Sequence, residues 1–133
     1  MLERSLMQTH GFRNIETHGT TTGFQLRVRL PSYRGMRLSL IDGVDVTVDG
    51  ELFGHERNRL SLGGRTYSLA ELREATDARW PLEEAAVVIV DKQGGLTPGV
   101  HEVELAVRLR QPYIPIEFQP SVISETRHAT IVF

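Results

Sequence analysis

Apolar and polar residues alternate along much of this chain, which is the side-chain pattern of a half-buried β-strand. In residues 24–30 every second residue is apolar, and residues 101–110 repeat the pattern over a longer stretch. Further strands are predicted at residues 44–49, 59–62, 65–67, 86–90 and 129–133. Many short strands with one apolar face each are typical of two antiparallel sheets packed face to face.

The turns and the helix signal complete this prediction. Asp49-Gly50 and Gly63-Gly64 are two-residue hairpin signals, because residues with positive φ favour the tight turns that join antiparallel strands. Ser68 and Glu71 have the spacing of a capping box and predict one short helix that ends near Ala78. The predicted fold is therefore all-β: an antiparallel two-sheet β-sandwich, of jelly-roll or immunoglobulin-like type, with one short helix.

The length of 133 residues suits one domain. Residues 1–22 lack clear periodicity and are predicted to form an N-terminal arm or edge segment. Residues 23–133 are predicted to form a single β-sandwich domain. No internal repeat or long linker divides them.

Composition narrows the class of protein. Apolar residues make up 40% of the chain, there is no cysteine, and the net charge is −2. Disulfides and thiolate metal sites are thereby excluded, and nucleic acid or an anionic membrane has no electrostatic reason to bind. The chain has no apolar run of the roughly 20 residues that span a bilayer, and residues 1–7 lack a signal-peptide pattern, so a cytoplasmic location is expected.

Motifs for self-contained catalysis are missing from the sequence. The five histidines form neither a His-x-His pair nor a His-Glu-x-x-His helix, and no nucleophile elbow or phosphate-binding loop occurs. We therefore expect no catalytic residue, metal ligand or cofactor site in this chain. His101 is the most notable histidine because it begins the apolar face of a predicted strand. It is either a capped histidine at the rim of the core or part of a site.

Two segments suggest recognition. Residues 31–35 place Tyr33 and Arg34 beside a glycine, which suits ligand contact, although Tyr33 could equally cover the core edge while Arg34 pairs with a carboxylate. Residues 111–120 contain three prolines and are not expected in the interior of a sheet. This second segment displays a group of mostly apolar residues that could pack on the domain's own edge or on another subunit: Tyr113, Ile114, Pro115, Ile116 and Phe118.

The same segments resemble a known family. The Tyr-Arg-Gly run at residues 33–35, the Gly-Gly-Leu-Thr-Pro-Gly-Val-His run at residues 94–101, and Pro-Tyr-Ile-Pro at residues 112–115 are similar to the small β subunit of bacterial C-glycoside deglycosidases. The resemblance covers about residues 24–116. Pro-Tyr-Ile-Pro stands where Ser-Tyr-Met-Pro is expected, which keeps the aromatic residue and the last proline.

The resemblance implies a non-catalytic β-sandwich subunit that docks on a larger α subunit. That partner resembles sugar-phosphate isomerases, has a TIM-barrel fold and holds a divalent metal, usually manganese. The complex breaks the carbon–carbon glycosidic bond of 3-oxo-C-glycosides. The resemblance implies that Tyr33, Arg34 and His101 contribute to the substrate pocket. Residues 113–116 and Phe118 are expected at the interface with the α subunit.

Two alternatives remain open. Tyr33, Tyr67, Trp80 and Tyr113 could stack on sugar faces in a stand-alone module that binds carbohydrates or aryl glycosides. The chain could also be a structural subunit of an unrelated assembly. Binding of a glycoside by the isolated domain would favour the module.

Overall fold

The computed structural model describes residues 5–32, 34–110 and 114–132. In chain order the strands are β1 (Met7–Thr17), β2 (Thr20–Val28), β3 (Met36–Arg37), β4 (Ile41–Val48), β5 (Glu51–Phe53), β6 (Arg59–Leu62), β7 (Arg65–Tyr67), β8 (Arg79–Trp80), β9 (Ala86–Asp91), β10 (Gly99–Leu109) and β11 (Ser121–Ile131). One short α-helix, α1 (Leu69–Glu74), lies in this described part, with 3-10 turns at Leu38–Leu40 and Ile116–Phe118.

The strands form two main antiparallel sheets. The first sheet has the order β1-β2-β9-β6-β7 and the second has the order β11-β10-β4-β5, while β3 and β8 pair separately. Buried alternate residues, such as Leu26 on β2, Val88 on β9, Val46 on β4 and Leu105 on β10, form one core. The predicted all-β sandwich with one short helix is confirmed.

Local turn chemistry explains the hairpins. Asp49 and Gly50 join β4 to β5, and both have positive φ, as a two-residue hairpin turn requires. Gly63 and Gly64 do the same between β6 and β7. The Ser68 hydroxyl accepts from the Glu71 N–H, and the Glu71 carboxylate accepts from the Ser68 N–H, so the predicted capping box is present.

Some boundaries differ from the sequence-based predictions. Helix α1 ends at Glu74, four residues before the predicted end near Ala78. No helix in the described part of the chain is long and apolar enough to cross a membrane. The last strand begins at Ser121, eight residues before the predicted start. Met7–Thr17, which lacked periodicity and belongs to the predicted N-terminal arm or edge segment, is the outer strand of the first sheet and pairs with β2.

Candidate functional site

The glycine-rich run at residues 94–101 forms the loop before β10 and the first three residues of that strand, and β1 holds the loop in place. Gly95 has a φ of +63°, and a Cβ there would lie 2.5 Å from Asn14 Oδ1. The Asn14 amide accepts from the Leu96 N–H at 2.8 Å and donates to the Leu96 carbonyl at 2.8 Å. The residues that carry the family resemblance here therefore fix a loop conformation, because the loop needs glycine where Asn14 approaches.

His101 is the third residue of β10, directly after this loop, and both of its ring nitrogens have partners within the chain. Nδ1 lies 2.5 Å from Asp49 Oδ2, and Nε2 lies 2.6 Å from the Thr97 carbonyl oxygen. Burial disfavours the charged ring, but the Thr97 carbonyl and the Asp49 carboxylate outweigh it and raise the pKa of His101. Because both partners are acceptors, an imidazolium satisfies them together. These contacts account for the side chain without substrate, and the predicted pocket role of His101 stays a prediction.

Arg34 lies at a different place in the fold. Its loop follows the end of β2, whereas the loop at residues 94–101 bonds to residues near the start of β2, where the Gly94 N–H donates to the Thr21 carbonyl. Strand β2 spans nine residues, or about 26 Å. His101 and Arg34 therefore do not lie in one pocket of this chain.

The loop that contains Arg34 lies at the surface, and contacts with Arg79 and β8 hold its C-terminal end. Arg34 itself is exposed, while the Arg79 guanidinium donates to the Gly35 carbonyl at 3.1 Å. A Cβ at Gly35 would lie 3.0 Å from the Trp80 carbonyl oxygen, so the backbone passes close to β8. Tyr33, the predicted neighbour of Arg34 in the site, lies outside the described residues.

The predicted interface segment lies at the same end of the molecule as the Arg34 loop. It follows Arg110, whose N–H donates to the Leu40 carbonyl in the turn after β3. Ile114 is half-buried and Pro115 is exposed. Phe118 leaves 67% of its surface exposed, a large apolar area for a domain of this size. Tyr113 and the side chain of Ile116 lie outside the described residues.

Sequence reasoning missed a charged cluster on the outer face of the second sheet. Asp45 on β4 accepts from the His55 N–H at 2.7 Å and lies 2.8 Å from His55 Nδ1, and its other oxygen accepts from Arg108 Nε at 2.9 Å. Partial burial would raise the pKa of Asp45, but these hydrogen bonds outweigh it and lower the pKa. All three side chains sit at ordinary polar positions of alternating strands or in a loop, so only strand register reveals the cluster.

Two of the four aromatic residues proposed for sugar stacking, Tyr67 and Trp80, are buried. Trp80 is fully buried, with its indole N–H donating to the Glu84 carbonyl at 2.6 Å, and Tyr67 is 6% exposed. Trp80 is therefore closed to a ligand, and Tyr67, which lines a shallow cleft, is almost covered and has the Arg65 guanidinium 5.0 Å from its ring centre. Tyr33 and Tyr113 lie outside the described residues. Tyr67 and Trp80 therefore do not support the hypothesis of a stand-alone sugar-binding module.

An open cleft of about 750 Å³ lies beside β5. Phe53 and Asn58 form part of its wall, and Lys92 lies 3.3 Å from the Glu51 carboxylate and 5.7 Å from the centre of the Phe53 ring. Two further charged groups of this cleft, Asp91 and Glu56, form ion pairs with Arg59 and His55. Among the residues that the structure describes, no group of three or more histidine, aspartate or glutamate side chains is placed to hold a metal ion.

Comparison with known proteins matches residues 2–113 to the family model described as C-glycoside deglycosidase beta subunit. A protein of that name from Eubacterium cellulosolvens is 34% identical over 115 residues, which is 86% of this chain and 78% of the relative. A 3'-dehydrocarminate deglycosidase beta subunit from a Microbacterium species is 37% identical over 106 residues, 79% of each chain. A C-glycoside deglycosidase beta subunit from Arthrobacter globiformis is 33% identical over 113 residues, 83% of this chain and 86% of the relative.

Proposed function

Because this chain belongs to the C-glycoside deglycosidase beta subunit family, we propose that it is the non-catalytic subunit of a carbon–carbon lyase that cleaves 3-oxo-C-glycosides. Its partner is a larger TIM-barrel α subunit that holds a divalent metal, manganese. This chain completes the substrate pocket of that subunit. The observation that carries the proposal is the family match over residues 2–113. The name of the Microbacterium relative, which specifies a 3'-dehydro substrate, supports the substrate class.

In this proposal the reacting groups belong to the partner, as the resemblance to the family implies. A ketone at C3 of the sugar acidifies the proton at C2, and a metal that polarises the ketone oxygen lowers the barrier to its removal by a base. The electron pair left at C2 expels the aryl carbon at C1, which takes up a proton, so the C1–aryl bond breaks and a C1–C2 double bond forms. This chain's part is to stabilise the α subunit and to close one side of the pocket.

The end of the sandwich that carries the Arg34 loop and Phe118 is the surface we assign to docking. Arg34 is exposed there, and a guanidinium can bind the oxygens of a phenolic or sugar ligand. Phe118 offers the apolar anchor that partner interfaces favour. On the sequence resemblance, the proposal also includes residues 113–116 in the interface and Tyr33, the neighbour of Arg34 in the chain, in the pocket.

A matched pair of variants tests the docking surface. Phe118→Ala removes a 67%-exposed side chain from the proposed interface, and Leu52→Ala removes a 66%-exposed side chain from β5. We expect Phe118→Ala to weaken binding to the α subunit by about 2 kcal/mol, roughly thirtyfold, and Leu52→Ala to leave it unchanged. The measurement is titration calorimetry with the purified α subunit. Equal binding by both variants would move the interface elsewhere.

A second experiment tests the division of labour. The full chain, the α subunit and the mixture are each incubated with manganese and a 3-oxo-C-glycoside, and release of the aglycone is followed by chromatography. We expect release by the mixture and none by this chain alone. Metal-dependent cleavage by this chain alone would overturn the proposal, and glycoside binding without the α subunit would favour the stand-alone module.

A further inference from the structure

Strand β11 forms one edge of the second sheet. It pairs with β10 over all eleven of its residues without a bulge, and the sheet order ends at β11. An edge strand of this length presents a row of backbone groups that another chain can pair with. It also lies beyond residues 2–113, so the family match does not account for it.

The register shows which backbone groups face the open side. Glu102 on β10 donates its N–H to Asp49 and accepts the Asp49 N–H through its carbonyl, so even-numbered residues of β10 point toward β4. Odd-numbered residues of β10 then point toward β11 and bond to its odd-numbered residues. The backbone groups that face the open edge belong to five exposed residues: Val122, Ser124, Thr126, His128 and Thr130.

The open edge has room for a strand. In the described part of the chain, no backbone hydrogen bond reaches those five residues from the open side. The hydrogen bonds that join Leu6 and Met7 to β11 go to its inward-facing side chains Glu125 and Arg127. A strand added at this edge would therefore meet free donors and acceptors along its length.

We propose that β11 is a self-association edge, and that two copies of this chain pair their β11 strands antiparallel about a two-fold axis through Thr126. In that register Thr126 faces Thr126 of the second copy, Ser124 faces His128, and Val122 faces Thr130. The two strands exchange about ten backbone hydrogen bonds. The two four-stranded sheets become one continuous sheet.

Charge selects this register. An inward-pointing charge on an edge strand normally discourages pairing. Here Glu125 and Arg127 lie on either side of Thr126, so the proposed register sets each Glu125 opposite Arg127 of the second copy. A shift of the two-fold axis to residue 125 would oppose two glutamates, and a shift to residue 127 would oppose two arginines. The strand is thus complementary to itself in one register.

Lysine on the axis tests the proposal. Sedimentation velocity of the full chain, at concentrations up to about 100 µM, is expected to give a species of twice the 15.0 kDa chain mass. Thr126→Lys or Thr126→Glu opposes two like charges and should raise the dimer dissociation constant at least about tenfold. The control Thr66→Lys changes an exposed threonine on β7, at the edge of the other sheet, and should leave the dimer dissociation constant unchanged.

Mixing the two axis variants gives the decisive readout. An equimolar mixture of Thr126→Lys and Thr126→Glu should form a heterodimer, because the axis then carries opposite charges. Circular dichroism of each variant checks that it is folded. The proposal would be overturned if the wild-type chain stayed monomeric at every concentration. It would also be overturned if Thr66→Lys weakened the dimer as much as Thr126→Lys, or if the mixture of the two axis variants formed no heterodimer. The result does not depend on the α subunit.

Discussion

His101 ties two loops together through charge. Its ring joins the Thr97 carbonyl of one loop to the Asp49 carboxylate of the β4–β5 hairpin, and only a doubly protonated ring donates to both. The Asp49 carboxylate also accepts from the Glu102 N–H, and the His101 and Glu102 hydrogen bonds lower the pKa of Asp49. The family-like run at residues 94–101 therefore has a structural role, because its His101 joins the loop before β10 to the β4–β5 hairpin.

The raised pKa of His101 predicts how stability changes with pH. The contribution is fully present below the ordinary histidine pKa of 6.5 and is lost as pH rises through the higher folded-state pKa. Urea unfolding between pH 5.5 and pH 8.5, a window of about three units around that ordinary value, should therefore give lower stability at the alkaline end. His101→Gln should be less stable at the acidic end and show a flatter profile. If the free energy of unfolding changed with pH in the same way for the wild type and His101→Gln, this structural role of His101 would be contradicted.

Gly95 and Gly94 form a matched pair for testing the loop. Both have positive φ, but a Cβ at Gly94 meets nothing within 4 Å, whereas a Cβ at Gly95 meets Asn14 Oδ1 at 2.5 Å. Gly94→Ala should lower the free energy of unfolding by about 1 kcal/mol, from backbone strain alone. Gly95→Ala should cost at least about 1 kcal/mol more, because it also displaces Asn14. Equal costs in urea unfolding would show that the Asn14 contact is unimportant.

Among the secondary-structure elements, the sequence-based strand predictions were wrong where apolar and polar residues do not alternate regularly. Strand β1 has register shifts between Gln8 and Arg13 and between Ile15 and Glu16, so its buried residues do not follow period two. Residues 121–128 of β11 were missed because the inward-facing positions there include Glu125 and Arg127. Where alternation is regular, as in β10, the predicted residues 101–110 nearly coincide with Gly99–Leu109.

Glu125 joins these two irregular strands. Its carboxylate accepts from the Leu6 N–H at 3.0 Å, the Met7 N–H at 3.1 Å and the Ser5 hydroxyl at 2.8 Å. Partial burial would raise the pKa of Glu125, but these hydrogen bonds and Arg127 outweigh it and lower the pKa. The stabilisation is therefore present above the ordinary glutamate pKa of 4.5 and is lost as pH falls through the folded-state value.

Removal of this carboxylate should loosen the start of β1. Glu125→Ala leaves two backbone N–H groups without their acceptor, so we expect a loss of about 1–3 kcal/mol in the free energy of unfolding. Hydrogen exchange at Leu6 and Met7 should become faster, while exchange on β10 rises only with the global loss. Glu104→Ala, at an exposed position of β10, is the control and should change neither quantity. Unchanged exchange at Leu6 in Glu125→Ala would contradict this role.

The whole molecule has one core shared by both sheets. Leu26 on β2 and Leu105 on β10 are buried in the same cluster although they belong to different sheets. Leu26→Ala and Leu105→Ala should each lower the free energy of unfolding by about 2–5 kcal/mol. Trp80 fluorescence and far-ultraviolet circular dichroism should report the same single transition in both variants. Separate transitions for the two probes would mean that the sheets unfold independently.

The sequence alone determined the strand-rich class, the two hairpin turns and the capped helix, because each depends on neighbours within a few residues. It also carried the family resemblance, which the match over residues 2–113 confirms. Only the tertiary structure decided that His101 lies far from Arg34, that Trp80 is core, and that β11 leaves an open edge. These facts depend on strand order and register, which bring together residues such as Asp49 and His101 that are distant in the chain. Periodicity reports which face of a strand is buried but not which strand lies beside it.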